Sequence, residues 1–253
     1  MRVKLVANRD YPGLKLIRDA FEISDRAGIC IAVGGDGTLV KAAKEFDGPI
    51  LPIRSGLPGS AGYYADLCLD DVAFAVESLK KRRYVVETLE RKIEISHKGR
   101  RYYAVNEAVL RNMVQEINFK IYELRSGRKM QIYPYVMGGD GLIVAGVMGS
   151  TAYNKSAGGP IMLSPNVICM TFLNVDGPYS NPIVVDAKSR IEVDIVKYSG
   201  TLEYDGEEIS VLGPGSSFSV KLSERELKVV RFPSRKEGVA SKLDRIIKNR
   251  IVE

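Results

Sequence analysis

The stretch ICIAVGGDGTLV, residues 29–40, decides how this chain is read. Ile29–Val33 is almost wholly apolar, which suits a strand buried on both faces of a parallel sheet. Thr38–Phe46 then carries a helical pattern, so Gly34, Gly35, Asp36 and Gly37 form the turn between strand and helix. Glycine tolerates positive φ and lacks a Cβ. Successive N–H groups in such a turn can therefore point at phosphate oxygens, with a helix N-terminus behind them. Gly34, Gly35, Gly37 and Thr38 are the candidate phosphate-binding residues. A carboxylate among them would repel a phosphate unless it had a task of its own. Asp36 could take a proton from an acceptor hydroxyl or help hold Mg²⁺, and the plainer reading is a helix cap.

Working outward, the first 84 residues alternate strand and helix. Val3–Ala7 reads as a strand, Pro12–Arg26 as a helix with Leu16, Ile17, Ala20 and Ile23 on one side, and Ile50–Ile53 as a third strand. Asp70 is the expected N-cap of a helix running to Arg82. Such alternation predicts a doubly wound, mostly parallel α/β domain, with functional groups at the carboxyl ends of its strands. From Val85 the texture changes. Val85–Ser96, Tyr102–Arg111, Glu116–Arg125, Met130–Val136, Leu142–Val147, Ile168–Leu173, Arg190–Val196, Thr201–Tyr204 and Ser217–Val220 read as strands punctuated by Gly, Pro, Asn and Asp. Residues 85–232 are thus expected to form an all-β, sandwich-like second domain. His97 falls at a hairpin tip, Ser96–Arg101, where a solvated side chain is expected. Residues 233–253 form a helical tail. Within it Val239, Leu243, Ile246 and Ile247 make a stripe expected to pack back on the first domain, and Lys242, Arg245, Lys248 and Arg250 give it a basic character.

Composition bounds the function. The chain has 253 residues, 45% apolar and 27% charged, which is the balance of a globular protein. No apolar run approaches the ~20 residues of a membrane span, and the opening MRVKLVANRDYP reads as a strand rather than a signal peptide. Cys30, Cys68 and Cys169 match no metal-ligand spacing and no even disulfide framework, which fits a cytoplasmic protein. The net charge of +6 favours anionic partners, nucleotides and nucleic acids alike. No Trp, one His and two glutamines (Gln115, Gln131) resemble thermophile usage. A G-x-G-x-x-G fingerprint is missing. Gly149–Ser156, GSTAYNKS, has Asn154 where a Walker loop needs its second glycine, and no helical pattern follows. Gly138–Val144, GGDGLIV, echoes the opening turn but opens a strand instead of a helix, so it reads as coincidence.

GGDGT resembles the signature shared by NAD kinases, diacylglycerol and sphingoid lipid kinases and, distantly, phosphofructokinases. Ala104–Leu110, AVNEAVL, is similar to the asparagine–acid motif of NAD kinases, and Asp140–Pro160, DGLIVAGVMGSTAYNKSAGGP, to their DGL…GSTAY-x-x-S-x-GGP segment. Asp205-Gly206-Glu207 sits where that family often has an Asp-Gly pair. The resemblance runs from about residue 2 to residue 232. It implies an α/β domain followed by a β-sandwich. It also implies NAD kinase activity, with ATP or polyphosphate as donor, Mg²⁺ or another divalent cation, and a homodimer or homotetramer free of nucleic acid and membrane.

Carried over by position, Asp36 would be the proton acceptor, with Gly37 beside it and Lys41 directed at phosphate. Asn106 and Glu107 would hold NAD, by its ribose hydroxyls. Thr151, Ala152, Tyr153 and Ser156 would line the adenine side, with Asn154 and Lys155 in the same binding segment, and Asp140 would face the nicotinamide end. Departures fall at Ala145–Met148, where relatives carry a Ser/Thr-Pro-rich stretch, at Asn174–Pro182 and at Arg54–Tyr64. They leave Asp36, Asn106 and Glu107 intact. Two rivals remain open: a lipid kinase, which should lack the Asn-Glu and GSTAY segments, and a non-catalytic NAD(P) sensor.

Overall fold

In the computed structural model, residues 1–57, 62–177, 180–238, 240–242, 244 and 248 are described. They fall into two compact units, Met1–Leu89 with Leu227–Glu253, and Glu90–Glu226. The expected borders at 84 and 232 therefore shift to 89 and 226. The reason is that the chain passes between the units within two long strands, Val85–His97 and Ser217–Arg231, and not in loops. Ser217–Val220 was the expected extent of the second. It continues because Leu227, Val229 and Val230 are buried in the first unit beyond the charged run Glu224-Arg225-Glu226.

The first unit is built on parallel pairings. Arg2–Ala7 pairs with Glu22–Ile23 and with Ile29–Gly34, which pairs with Ile50–Arg54, and that strand pairs with Leu67–Cys68 and with Val229. Ile29–Gly34 is buried throughout, as a central parallel strand must be. Its odd residues Ile29, Ile31 and Val33 pack with Leu14, Ile17, Val72, Ala75 and Leu79 from two helices, Leu14–Ala20 and Val72–Lys80. Its even residues point to the other face, where the helix Asp36–Glu45 buries Leu39, Ala42 and Ala43. Helices thus cover both faces.

Local expectations need three corrections here. The first helix stops at Ala20 rather than near Arg26, because Phe21 is extended and Glu22–Ile23 joins the sheet edge. Asp70 is not the cap: Leu69–Asp71 forms a 3₁₀ turn, and the Asp71 carboxylate accepts the Cys68 N–H at 3.0 Å. The following helix ends at Lys80, with Arg82 at φ +51°. In the tail, residues 240–242, 244 and 248 are helical, and Lys242 Nζ lies 2.6 Å from Asp66 Oδ1, tying it to the first unit. Val239, Leu243, Arg245, Ile246, Ile247 and Arg250 lie outside the described residues.

The second unit is a β-sandwich. One sheet has the order Ile183–Asp186, Val167–Leu173, Gly141–Ala145, Glu107–Arg111, Gly200–Tyr204, Glu207–Leu212, all antiparallel. The other contains Ile117–Arg125, Arg190–Lys197 and the start of Ser217–Arg231. Leu110, Leu142, Val144, Ile168 and Met170 from the first sheet meet Phe119, Ile121, Ile191, Val193 and Phe218 from the second in one core. Burial of each such side chain contributes about 1.5–3 kcal/mol.

Tyr102–Arg111, expected as one strand, breaks into Arg100–Ala104 and Glu107–Arg111 because a distant carboxylate takes the backbone donors between them. Met130–Val136 is not one strand either. Arg128–Gln131 forms a hairpin with Ile117–Arg125, and the Gln131 side chain then donates to the carbonyl oxygen of Tyr133 at 2.5 Å, holding a loop. Strands Ile183–Asp186 and Glu207–Leu212 were not expected. The hairpin at Lys98-Gly99 is present, with both residues at positive φ. His97, however, is buried rather than solvated, because the Ser217 segment covers it.

Candidate active site

The glycine turn has the conformation its sequence implies. Gly34 lies at φ +155°, and a Cβ there would stand 2.2 Å from Thr38 Oγ1 and 3.0 Å from Asn8 Oδ1. Only glycine lets the strand end this close to the first helical turn. Gly35 caps the helix in an extended conformation, its carbonyl accepting the N–H of Thr38 at 3.0 Å, and Asp36 begins the helix. Thr38 is buried and Gly37 exposed, so the turn presents backbone outward at Gly37.

Asp36 is not the helix cap of its plainer reading: Gly35 takes that place, and no side-chain cap bond forms. Its Oδ2 accepts the N–H of Tyr63 at 3.0 Å and its Oδ1 that of Tyr64 at 3.2 Å. The same peptide segment is held from its other side, since Arg231 donates to the Tyr64 carbonyl at 2.5 Å. Arg231 is itself buried against Asp66 Oδ2 at 3.0 Å, and Asp66 also meets Lys242. A guanidinium and a carboxylate removed from water together fix geometry well, because neither can swing away without losing its counter-charge. The Asp36 carboxylate is thereby aimed. Residues 58–61, part of the divergent Arg54–Tyr64 segment, lie outside the described residues.

Lys41 does not join this group. Five residues on from Asp36, at about 100° per residue, it projects roughly 140° around the helix. Its side chain lines a separate cleft with Lys4, Asp25 and Glu45, where Lys4 Nζ lies 3.3 Å from each acid.

In the β unit, two segments far apart in sequence are brought together. The Asp205 carboxylate accepts three consecutive backbone N–H groups, from Val105 at 2.7 Å, Asn106 at 2.7 Å and Glu107 at 3.2 Å. This turns the chain so that the adjacent Asn106 and Glu107 need not point to opposite faces of a strand, the difficulty that the bare Asn-Glu dipeptide raises. The 3₁₀ turn Gly149–Thr151 sits directly on that corner. A Cβ at Gly149 would be 2.0 Å from the Asn106 carbonyl oxygen, which also accepts the Gly146 N–H at 3.1 Å. A short helix, Tyr153–Ser156, follows where no helical pattern was expected.

Glu107 is buried, its Oε2 has no hydrogen-bond partner among the described residues, and burial together with the nearby Asp205 charge pushes its carboxyl up to about 8. A second buried acid, Glu90, was not singled out by its sequence. Its Oε2 accepts the Met148 N–H at 2.9 Å, so it holds the backbone leading into the Gly149 turn, and burial pushes it up to about 8 as well.

Within the GSTAY segment the residues divide. Thr151, Lys155 and Ser156 are exposed and Ala152 half-buried, so they are free to meet a ligand. Tyr153 packs beside Val109, Ile143 and Ala145. Asn154 is fully buried: its amide donates to the Pro160 carbonyl at 3.0 Å, and it accepts the Thr171 hydroxyl at 2.6 Å. It braces the loop. Asp140 Oδ2 accepts the Asn174 side chain at 2.6 Å, linking the GGDG strand to the divergent Asn174–Pro182 segment, of which 178 and 179 lie outside the described residues.

Two curated relatives align across most of this arrangement. An NAD kinase of Sulfurimonas denitrificans is 31% identical over 83% of this chain and 74% of its own length. An NAD kinase of Thermoplasma volcanium is 33% identical over 92% of this chain and 82% of its own length. The chain belongs to the NAD kinase family. The model of the ATP-NAD kinase C-terminal domain matches residues 127–232. The NAD kinase fold is shared with solved structures: one from Archaeoglobus fulgidus in complex with ATP, at TM-score 0.74, 21% identity and coverage of 98% and 99% of the two chains; and yeast NADH kinase complexed with NADH, at TM-score 0.77, 17% identity and coverage of 100% and 87%. In this NAD kinase family member, Asp36, Asn106, Glu107 and the GSTAY turn each sit in a built local geometry. Glu90 and Arg231 are the supports that local sequence did not disclose.

Proposed function

We propose that this chain transfers the γ-phosphoryl group of ATP to the 2′-hydroxyl of the adenosine ribose of NAD⁺, giving NADP⁺ and ADP. The observation that carries the reading is the buried Glu107 carboxyl beside the Gly149–Thr151 turn, whose Oε2 has no hydrogen-bond partner among the described residues. A ribose offers the hydroxyl donors that this carboxyl lacks, and an adenine can lie along Thr151, Ala152 and Tyr153. Asn106 and Glu107 hold the ribose, Ser156 and Lys155 close the adenine side, and Asp140 faces the nicotinamide end.

The 2′-oxygen forms its bond to the γ-phosphorus as the bond to the β–γ bridging oxygen breaks, and the hydroxyl proton passes to Asp36. The transition state is loose, so alignment and charge neutralisation supply most of the rate. Gly34, Gly35, Gly37 and the N–H groups opening the Asp36–Glu45 helix steady the phosphates. No group of three or more His, Cys, Asp or Glu suited to a metal occurs among the described residues. A divalent cation carried by the triphosphate would find in Asp36 a carboxylate beside the phosphate-binding turn. When bound, it neutralises charge on the transferred group.

Three free cysteines, two of them buried, support a reducing cytoplasm. The exposed apolar side chains of Met113, Val114, Ile161 and Leu163 support assembly as a homodimer or homotetramer. The test is to incubate the protein with Mg-ATP and NAD⁺ and detect NADP⁺ with an NADP-specific dehydrogenase, repeating with other triphosphates and polyphosphate. NADP⁺ formation supports the reading. Binding of NAD⁺ without product from any donor leaves a sensor instead.

A further inference from the structure

The segment whose peptides aim Asp36 is gripped at both ends by the C-terminal tail. At one end, the side chain of Asp66 is 5% exposed, and two cations meet it: Arg231 Nη1 lies 3.0 Å from Oδ2 and Lys242 Nζ 2.6 Å from Oδ1. At the other end, Gly62 lies against Arg54, where a Cβ would stand 2.7 Å from the Arg54 Cβ, and Arg54 Nη2 is 3.8 Å from Glu237 Oε1. Glu237 and Lys242 thus bracket Tyr63 and Tyr64, whose N–H groups reach the Asp36 carboxylate.

The charges here meet at one nitrogen. Arg231 Nη1 donates to the Tyr64 carbonyl at 2.5 Å and also faces the Asp66 carboxylate. A carboxylate is the stronger acceptor, and in a buried pair it would turn the rigid guanidinium toward itself. Yet neither Asp66 oxygen has a hydrogen-bond partner among the described residues, so both cations meet it in charge contact alone while Nη1 donates to the carbonyl. Glu87, the other acid on Arg231, sits at Nε and is shared with Lys236, so it does not compete for Nη1. Lys242 relieves the competition at Asp66. Its ammonium, buried beside the acid, supplies part of the counter-charge that a carboxylate needs out of water. Without it, Arg231 alone among the described residues answers Asp66, and the Tyr64 carbonyl loses its donor.

We propose that the C-terminal tail is a working part of the phosphoryl-transfer site, with Lys242 a positioning residue for Asp36 that acts through Asp66, Arg231 and the Tyr64 peptide. This rests on the reading of Asp36 as the proton acceptor. Lys242 itself touches neither substrate nor Asp36.

The full chain is compared with Lys242→Met, which keeps the side chain's length and removes its charge, and with Lys242→Arg, which restores the charge. Lys242→Gln gives the same comparison if the apolar variant fails to fold. Two readouts are taken: the amide ¹⁵N–¹H resonances of Tyr63 and Tyr64, and kcat and KM for NADP⁺ formation, with each variant also made in an Asp36→Asn background. Lys242→Met should shift both amides and lower kcat about tenfold with KM for NAD⁺ within about twofold of wild type, the pattern of a misaimed group. Lys242→Arg should recover kcat to within about threefold, and Lys242→Met should add nothing to Asp36→Asn, because it acts through that carboxylate. Unmoved Tyr63 and Tyr64 amides overturn the proposal whatever the activity. So does an unchanged kcat beside a depressed Asp36→Asn, or an equal loss of kcat in the Asp36→Asn background. Shifted amides in a chain that makes no NADP⁺ from any donor overturn the assigned reaction and leave the link from tail to Asp36 standing.

Discussion

Glu90→Gln is a sharp perturbation because it removes a proton-binding site and almost nothing else. Glu90 is 5% exposed, and burial holds its carboxyl at about 8 against an ordinary 4.5. At about 1.4 kcal/mol per pH unit, that displacement corresponds to on the order of 5 kcal/mol in favour of the neutral form in the folded chain. The folded value lies above the unfolded one. Its contribution is therefore fully present below about pH 4.5 and is lost as pH rises towards about 8. Glutamine is isosteric with the protonated acid and can still accept the Met148 N–H.

Urea unfolding is followed by far-ultraviolet circular dichroism, the chain having no Trp. Wild type should lose stability between pH 5.5 and 8.5, with a slope of up to about 1.4 kcal/mol per pH unit from this group. Glu90→Gln should be about 1–2 kcal/mol more stable than wild type at pH 5.5 and several kcal/mol more stable at pH 8.5. An equal difference between the two proteins at both pH values would refute a buried, neutral Glu90.

Three further outcomes follow from the same geometry. Asp205→Ala removes the acceptor of three N–H groups and should cost about 3–5 kcal/mol in urea unfolding, with NAD⁺ affinity by calorimetry falling at least about tenfold. Gly149→Ala puts a methyl group 2.0 Å from the Asn106 carbonyl oxygen, so NAD⁺ affinity should fall about tenfold or more while ATP affinity holds, both read by calorimetry. Lys41→Ala should change kcat/KM by less than about twofold in the coupled assay, since its side chain lies in a different cleft from Asp36.

What the sequence disclosed and what it hid divide along physical lines. The strand, turn and helix at residues 29–45 were legible because periodicity and glycine are local signals, and they placed Asp36 on its turn. The tie between Asp36 and the Tyr63-Tyr64 backbone was not, since a backbone N–H has no residue type. Asp205 was noticed only by resemblance, because its partners lie 98 to 100 residues away. Glu90, Lys92 and Glu94 alternate with Ile93 and Ile95, which reads as a solvated face, yet all three are buried. No local feature separates a glutamate covered by another segment from one in water. Asn154 shows another side: the motif marked it only as part of the binding segment, and its bonds to Pro160 and Thr171 inside the fold have no local sequence signal.

The central claim is that Asp36, aimed by two peptide N–H groups, takes the proton from the hydroxyl being phosphorylated. Its most direct measurement is kcat for NADP⁺ formation by Asp36→Asn beside wild type, with NAD⁺ affinity measured on the same samples. The account predicts a loss of about 10²–10⁴ in kcat with NAD⁺ affinity nearly unchanged. A variant retaining kcat within about threefold of wild type would contradict it.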